Sequence, residues 1–176
     1  MTVAVLLATA SAAAAPTSAQ PGATRPCRTS DLRITLVHSG AAAGTVGGYV
    51  AFTNRAGTPC RLTGWPTLVA VTAAGAQTTA LHRRSTMFGP SPTLTGMPAV
   101  LLWHGERADA VFTAGDNPGP GKTICPPSYR HLRVTPPGST SSARLSAWLP
   151  DLDAYLPACT NIEVSMVVPA SDLYRG

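Results

Sequence analysis

Prolines and glycines interrupt this chain so often, 17 and 16 of them in 176 residues, that few windows of about ten residues escape a breaker. Proline lacks the amide proton that a helix interior needs, and glycine loses the most freedom on ordering. Beyond Ala15, long helices are therefore excluded, and the intervals suit strands and turns. Those intervals alternate. Leu32, Ile34 and Leu36 are separated by Arg33 and Thr35, giving one apolar and one polar face at period two. Val46, Gly48, Val50 and Phe52 form the inward set of a longer strand, with Tyr49 and Thr53 facing out. Leu68 to Thr72 is an apolar, partly β-branched run that stops at the turn Ala73-Ala-Gly-Ala76, and Gln77 to His82 returns from it. Val100 to Trp103, then His104-Gly105-Glu106, then Ala108, Ala110 and Phe112 read as a hairpin with glycine in its tight turn. Leu132 and Val134 mark a strand cut off by Pro136-Pro137, and Ala143 to Leu149 and Ile162 to Val168 complete the set. One short helical turn is expected within Leu149 to Leu156, capped by Asp151 or Asp153. Many short strands with turns between them predict an all-β chain folded as an antiparallel β-sandwich.

The N-terminal run Val3 to Ala15 has the length and small-residue ending of a signal-peptide apolar core. It is shorter than the roughly 20 residues of a membrane span. Pro16 disfavours cleavage after Ala15, whereas Thr17-Ser-Ala19 offers a small-x-small site. The expected organisation is a signal peptide over 1–19, a short linker over 20–26, one β-sandwich domain over 27–169 and a C-terminal tail over 170–176. Cys27 follows Thr24-Arg-Pro26 rather than a lipobox, so secretion or loose envelope association is expected in place of a lipid anchor. Export into an oxidising compartment makes Cys27, Cys60, Cys125 and Cys159 a framework of two disulfides. Four cysteines allow three pairings. Cys27 lies just before the first strand and Cys60 just after the second, so an antiparallel first pair brings them to the same end. The same logic joins Cys125 to Cys159. The C-x-x-C spacing of zinc sites is absent.

Chemistry-bearing patterns are sparse. The net charge of +5 comes from 13 basic residues against 8 acids, and the basic positions are spread from Arg25 to Arg175 with no run beyond Arg83-Arg84. A nucleic-acid partner would call for one basic stripe with interleaved aromatics, so none is expected. No G-x-S-x-G occurs, and the prolines of Gly89-Pro-Ser-Pro92 forbid the elbow that exposes a nucleophilic serine. Gly115-Asp-Asn-Pro-Gly-Pro-Gly-Lys-Thr123 imitates a phosphate loop, but its spacing is one residue too long and Ile124-Cys-Pro-Pro127 cannot open the required helix. His82, Met87, Met97 and His104 carry imidazole and thioether groups suited to copper without any close pair, so no metal or cofactor is expected. His38, His82, His104 and His131 are scattered, and a secreted hydrolase with a non-local site is the alternative reading. The expectation is a monomeric, non-enzymatic module that binds an envelope or extracellular ligand through three breaker-rich loops, Ser85 to Pro98, Thr113 to Pro127 and Pro136 to Ser142.

Two stretches, Gly48-Tyr-Val-Ala-Phe-Thr-Asn54 and Cys60-Arg-Leu-Thr-Gly-Trp-Pro66, carry a family resemblance. With Gly105-Glu-Arg-Ala108, Cys125, Leu132-Arg-Val134 and Pro136-Pro137, they make the chain similar to an exported actinobacterial family, the domain of unknown function 4232. The likeness spans roughly Cys27 to Val168. It implies an immunoglobulin-like sandwich and assigns no activity, so no functional residue is carried over. The chain lacks the lipobox and the Thr/Ser-rich linker that many relatives carry. Within the signature, Gly64 permits a turn that a Cβ would strain, Pro66 fixes the chain direction, and Trp65 is expected to pack over the end of the sandwich.

Overall fold

A computed structural model describes residues 24–89 and 96–173. The expected signal peptide, most of the linker and the last three residues lie outside the described residues. The strands, in chain order, are β1 (Leu32–Ala42), β2 (Thr45–Asn54), β3 (Cys60–Thr63), β4 (Thr67–Thr72), β5 (Gln77–Thr79), β6 (Leu81–Arg83) and β7 (Ala99–Leu102). They continue with β8 (Arg107–Gly115), β9 (Tyr129–Thr135), β10 (Ala143–Ser146), β11 (Trp148–Leu149), β12 (Ala154–Tyr155), β13 (Ile162–Ser165) and β14 (Val168–Pro169). Among the described residues helical structure is confined to three short 3-10 turns.

Two sheets face each other. One runs β1-β2-β8-β13-β6 with β14 beside β8, and the other runs β10-β9-β4-β5. In immunoglobulin lettering the second is G-F-C-C′ and the first opens A-B-E; β13 stands where strand D is otherwise found. Val50, Phe52, Ala110 and Phe112 from the first sheet and Leu68, Ala70, Leu132 and Val134 from the second belong to one buried cluster. Each buried Phe, Leu or Val contributes about 1.5–3 kcal/mol. The fold is thus the expected all-β, immunoglobulin-like sandwich, antiparallel in nearly every pair.

The middle of the first sheet is covered on both faces. In β8 every residue from Ala108 to Ala114 is buried, not only Ala108, Ala110 and Phe112. Val111 and Asp109 face outward and are buried all the same; over Val111 and Gly47 lies a third layer, with Phe88 against Gly47 and Gly89 between Val111 and Leu173. This explains the adjacent mid-strand glycines. A Cβ on Gly47 would stand 2.6 Å from the Phe112 carbonyl and 2.7 Å from the Phe88 ring, and one on Gly48 would crowd the Phe112 ring at 3.1 Å. Asp109, wholly buried, is ion-paired at 2.8 Å with Arg107 two residues earlier on the same face of the strand.

Both disulfides form as the strand positions predicted, Cys27 with Cys60 and Cys125 with Cys159. The first is buried at the end where β1 begins. The second braces the opposite end, where the Ala43-Gly44 turn meets Asp116 through a 3.1 Å backbone bond.

Several local expectations are corrected. The Gly105 turn is present, with φ +83, but its arms do not pair as a hairpin: β7 pairs with β3, whereas β8 pairs with β2, β13 and β14. Gln77 to His82 is not one returning strand. It breaks at Ala80, whose amide bonds Leu68 at 2.8 Å, and β6 crosses to the other sheet, where it runs parallel to β13. The turn Pro150–Leu152 forms without a side-chain cap. Asp151 instead accepts from the Ser39 amide at 2.7 Å.

Candidate functional site

The three breaker-rich loops do not converge. The loop after β8 is tied to the Cys125 end, whereas Pro136 to Ser142 lies at the Cys27 end, where Thr29 Oγ1 and Ser139 Oγ sit 2.9 Å apart and Gly138 approaches Pro26. The loop that includes Ser85 to Gly89 crosses the outer face of the first sheet. The described parts of the three loops thus lie apart, and residues 90–95 of the first of them lie outside the described residues.

The histidines are equally separated. His38 lies in β1, His82 in β6, His104 in the turn before β8 and His131 in β9. His82 stacks on Trp65 with ring centroids 5.7 Å apart, and His104 Nδ1 sits 3.2 Å from the Ala56 carbonyl. Met87 and Met97 are both exposed, and no group of three or more His, Cys, Asp or Glu side chains placed to hold a metal occurs among the described residues. The glycine-rich segment 115–123 leads into Cys125 and its disulfide, and no helix follows it.

What the fold does assemble lies on its open side. β1 and β10 are the end strands of their sheets, and between them runs a groove of about 560 Å³ lined by Ile34, Thr35, Leu36, Arg144, Leu145, Ser146, Trp148, Pro150 and Tyr155. Two triplets of consecutive residues line it. Neighbours along a strand point to opposite faces, so a cavity touching three in a row meets the edge of each strand, where backbone N–H and C=O groups lack a sheet partner.

Local chemistry builds the walls. Leu36 and Leu145 are half-buried and packed against the core, which makes the floor apolar. Beyond β10 the short ribbon of β11 and β12 sets Trp148 opposite Tyr155, edge to face with centroids 5.0 Å apart. Arg130 lies over the Tyr155 ring at 4.1 Å, a cation–π contact. Arg144, at the rim, is directly opposite Arg133 on β9. Like charges in that position repel, and the sequences of β4, β5, β9 and β10 contain no carboxylate to separate them. Only the first half of β1 is open: its register shifts between Val37 and Gly40, His38 adopts φ +47, and Asp151 holds Ser39. A bulge of this kind turns the remainder of the edge away from pairing.

Two other surfaces are weaker candidates. A cavity of about 550 Å³ at the Cys125 end is lined by Gly44, Asn117, Thr160, Asn161 and the Arg83–Glu163 pair, whose charges already meet at 2.8 Å. On β7 and its flanks Met97, Ala99, Leu101 and Trp103 are exposed at period two, an apolar stripe on which Arg61 stands directly opposite Leu101. Sequence reading missed the β1/β10 groove because its residues come from two segments more than a hundred positions apart. The one available signal was Trp148, an aromatic placed in a strand that otherwise alternates weakly.

The recognised signature is accounted for by packing. Asn54 is fully buried; its Nδ2 donates to the carbonyls of Leu102 and Thr58 at 2.9 and 3.1 Å, and its Oδ1 accepts from the Ala56 amide at 2.9 Å. Leu62 is wholly buried, Gly64 has φ +93, and its carbonyl accepts from Val167 at 2.9 Å. Trp65 is half-buried, stacks on His82 of β6 and donates its Nε1–H to the Arg83 carbonyl at 2.8 Å. No curated protein and no solved structure matches the chain. A family model matches residues 27–167, and the chain belongs to that family, described as a domain of unknown function, DUF4232.

Proposed function

We propose that this protein is an exported, non-enzymatic binding module of the cell envelope or extracellular space, and that it takes its ligand in the groove between β1 and β10. The observation that carries this reading is the groove itself: two free strand edges, an apolar floor, an aromatic pair and an arginine rim meet on one side of a rigid frame. Ligand sites are commonly concave, largely apolar and fixed by a few polar groups. Export is supported by the two disulfides, which persist in oxidising compartments, and by the apolar N-terminal run. No helix among the described residues is long and apolar enough to cross a membrane. The four histidines lie on four separate elements, which supports binding over hydrolysis, a chemistry that needs a base beside its nucleophile.

The test is hydrogen–deuterium exchange on the oxidised protein with and without envelope and secreted fractions. Slowed exchange confined to residues 32–37 and 143–155 is expected. Protection only at 116–127 or 136–142, or chemical turnover of any fraction component, refutes the reading.

A further inference from the structure

Resting on that groove reading, we infer that the occupant is an extended, acidic peptide segment that adds as a strand along the open half of β1. Three features select it. A groove that meets both walls at their strand edges presents backbone donors and acceptors in a row, and the ligand that answers such a row along its length is another extended polypeptide. Thr35 lies between Ile34 and Leu36, so an added strand alternates in the same way. Its inward side chains rest on Leu36, Leu145 and Trp148 and are apolar, while those between them face solvent. Charge completes the description. Arg144 lines the groove, Arg133 stands directly opposite it, and Arg130 borders the aromatic wall. None of the groove's lining residues is acidic. A carboxylate arriving beside Arg144 relieves the Arg133–Arg144 repulsion and gains a charge-assisted hydrogen bond.

The bulge at His38–Ser39 sets the length. The Leu32 amide already bonds the Thr29 carbonyl, so residues 33–37 are left to pair before the strand turns away, and the added segment spans about five residues at roughly 3.3 Å each. The partner is therefore a short acidic segment with alternating apolar side chains, such as a tail or linker of another exported protein.

The experiment titrates the intact, oxidised protein with four probes: an octapeptide alternating valine and glutamate, one alternating valine and lysine, the glutamate peptide N-methylated throughout, and soluble polygalacturonate. Binding is read from tryptophan emission, with Trp148→Phe as the control that locates the signal, and from amide exchange of residues 32–37. The glutamate peptide is expected to bind and slow that exchange. The lysine peptide binds about three- to tenfold more weakly, the scale of one or two partly exposed ion pairs, and the N-methylated peptide does not bind. Arg144→Glu, an exposed substitution, reverses the preference between the two charged peptides. Equal binding of the N-methylated peptide removes the strand pairing and overturns the inference. Tighter binding of polygalacturonate than of any peptide overturns it in favour of an acidic glycan. If no peptide binds while envelope fractions still protect 32–37 and 143–155, this inference falls and the groove reading stands. If those residues are protected by nothing, both fall.

Discussion

Removing each disulfide in turn separates the frame from the loop it carries. The two cross-links close loops of nearly equal length, with sequence separations of 33 and 34. The chain-entropy relation assigns each a restriction of the unfolded state worth about 3.7 kcal/mol at 25 °C. On that ground alone the two double-alanine variants should be equally destabilised. Their native states differ. Cys27 and Cys60 are 1% and 0% exposed and belong to the core cluster, so deleting both sulfurs leaves a packing defect costing about 1–2 kcal/mol more. Cys125 sits in the loop after β8, beside Ile124 at 79% exposure, and without its bond that loop regains freedom while the sheets stay packed. The expected losses are about 5 kcal/mol for Cys27→Ala/Cys60→Ala and less than about 3.7 kcal/mol for Cys125→Ala/Cys159→Ala. Urea titration with linear extrapolation measures both, provided fluorescence and far-ultraviolet circular dichroism give coincident transitions. In thermal melts, the Cys125/Cys159 variant should lose at most about 7–15 °C. A loss in that variant equal to or larger than that of the Cys27/Cys60 variant would refute the reasoning, because it would place the Cys125 end within the cooperative core.

Three further outcomes follow from particular contacts. Gly47→Ala drives a Cβ into the Phe112 carbonyl and the Phe88 ring and should cost about 1–3 kcal/mol by urea titration; a neutral result would mean that Phe88 does not lie over the sheet. Asn54→Ala strands the Leu102 and Thr58 carbonyls and the Ala56 amide and should cost about 2–3 kcal/mol, whereas Asn54→Asp, which keeps the acceptor but loses the amide donors, should still lose part of it. Asp31 is held below the usual carboxylate range, first by its hydrogen bond from Arg25 and also by one from the Arg28 amide. Its contribution is therefore complete above the ordinary carboxylate value and lost as pH falls through the depressed one. Asp31→Asn should destabilise at pH 7, with the gap to wild type closing in acid; a gap constant across pH would contradict the assignment.

Much of this fold was legible because strand alternation is a local property. The faces of β1, β2, β4 and β9 follow from residues two apart, and the Cys27–Cys60 pair follows from the antiparallel order of β1 and β2. Partner choice was not legible, because period two fixes which face is buried and says nothing about which strand lies alongside. Val100 to Leu102 fits a hairpin with β8 as well as it fits pairing with β3, and only the packed whole decides. The second buried face of β8 was hidden for a related reason. Asp109 reads as a solvent-facing charge until its complete burial and its ion pair with Arg107, two residues away, are seen.

The candidate site escaped for a deeper reason, and that reason bears on what family membership can convey. Asn54, Cys60, Leu62, Gly64, Trp65 and Pro66 hold the β2–β4 connection to β7, to β6, to Val167 and to the first disulfide, and none of them lines the β1/β10 groove. A signature composed of such residues reports that a chain will fold this way and is silent on what the fold holds. An exposed rim side chain such as Arg144 obeys a different constraint: on an end strand it can change without disturbing the core. Within a shared frame, ligand choice can therefore shift through a position such as Arg144 while the signature stays fixed. The corollary is experimental. Exchanging Arg144, an exposed rim residue, should alter what is bound and leave the urea midpoint nearly unchanged, whereas any single change at Asn54 or Gly64 should do the reverse.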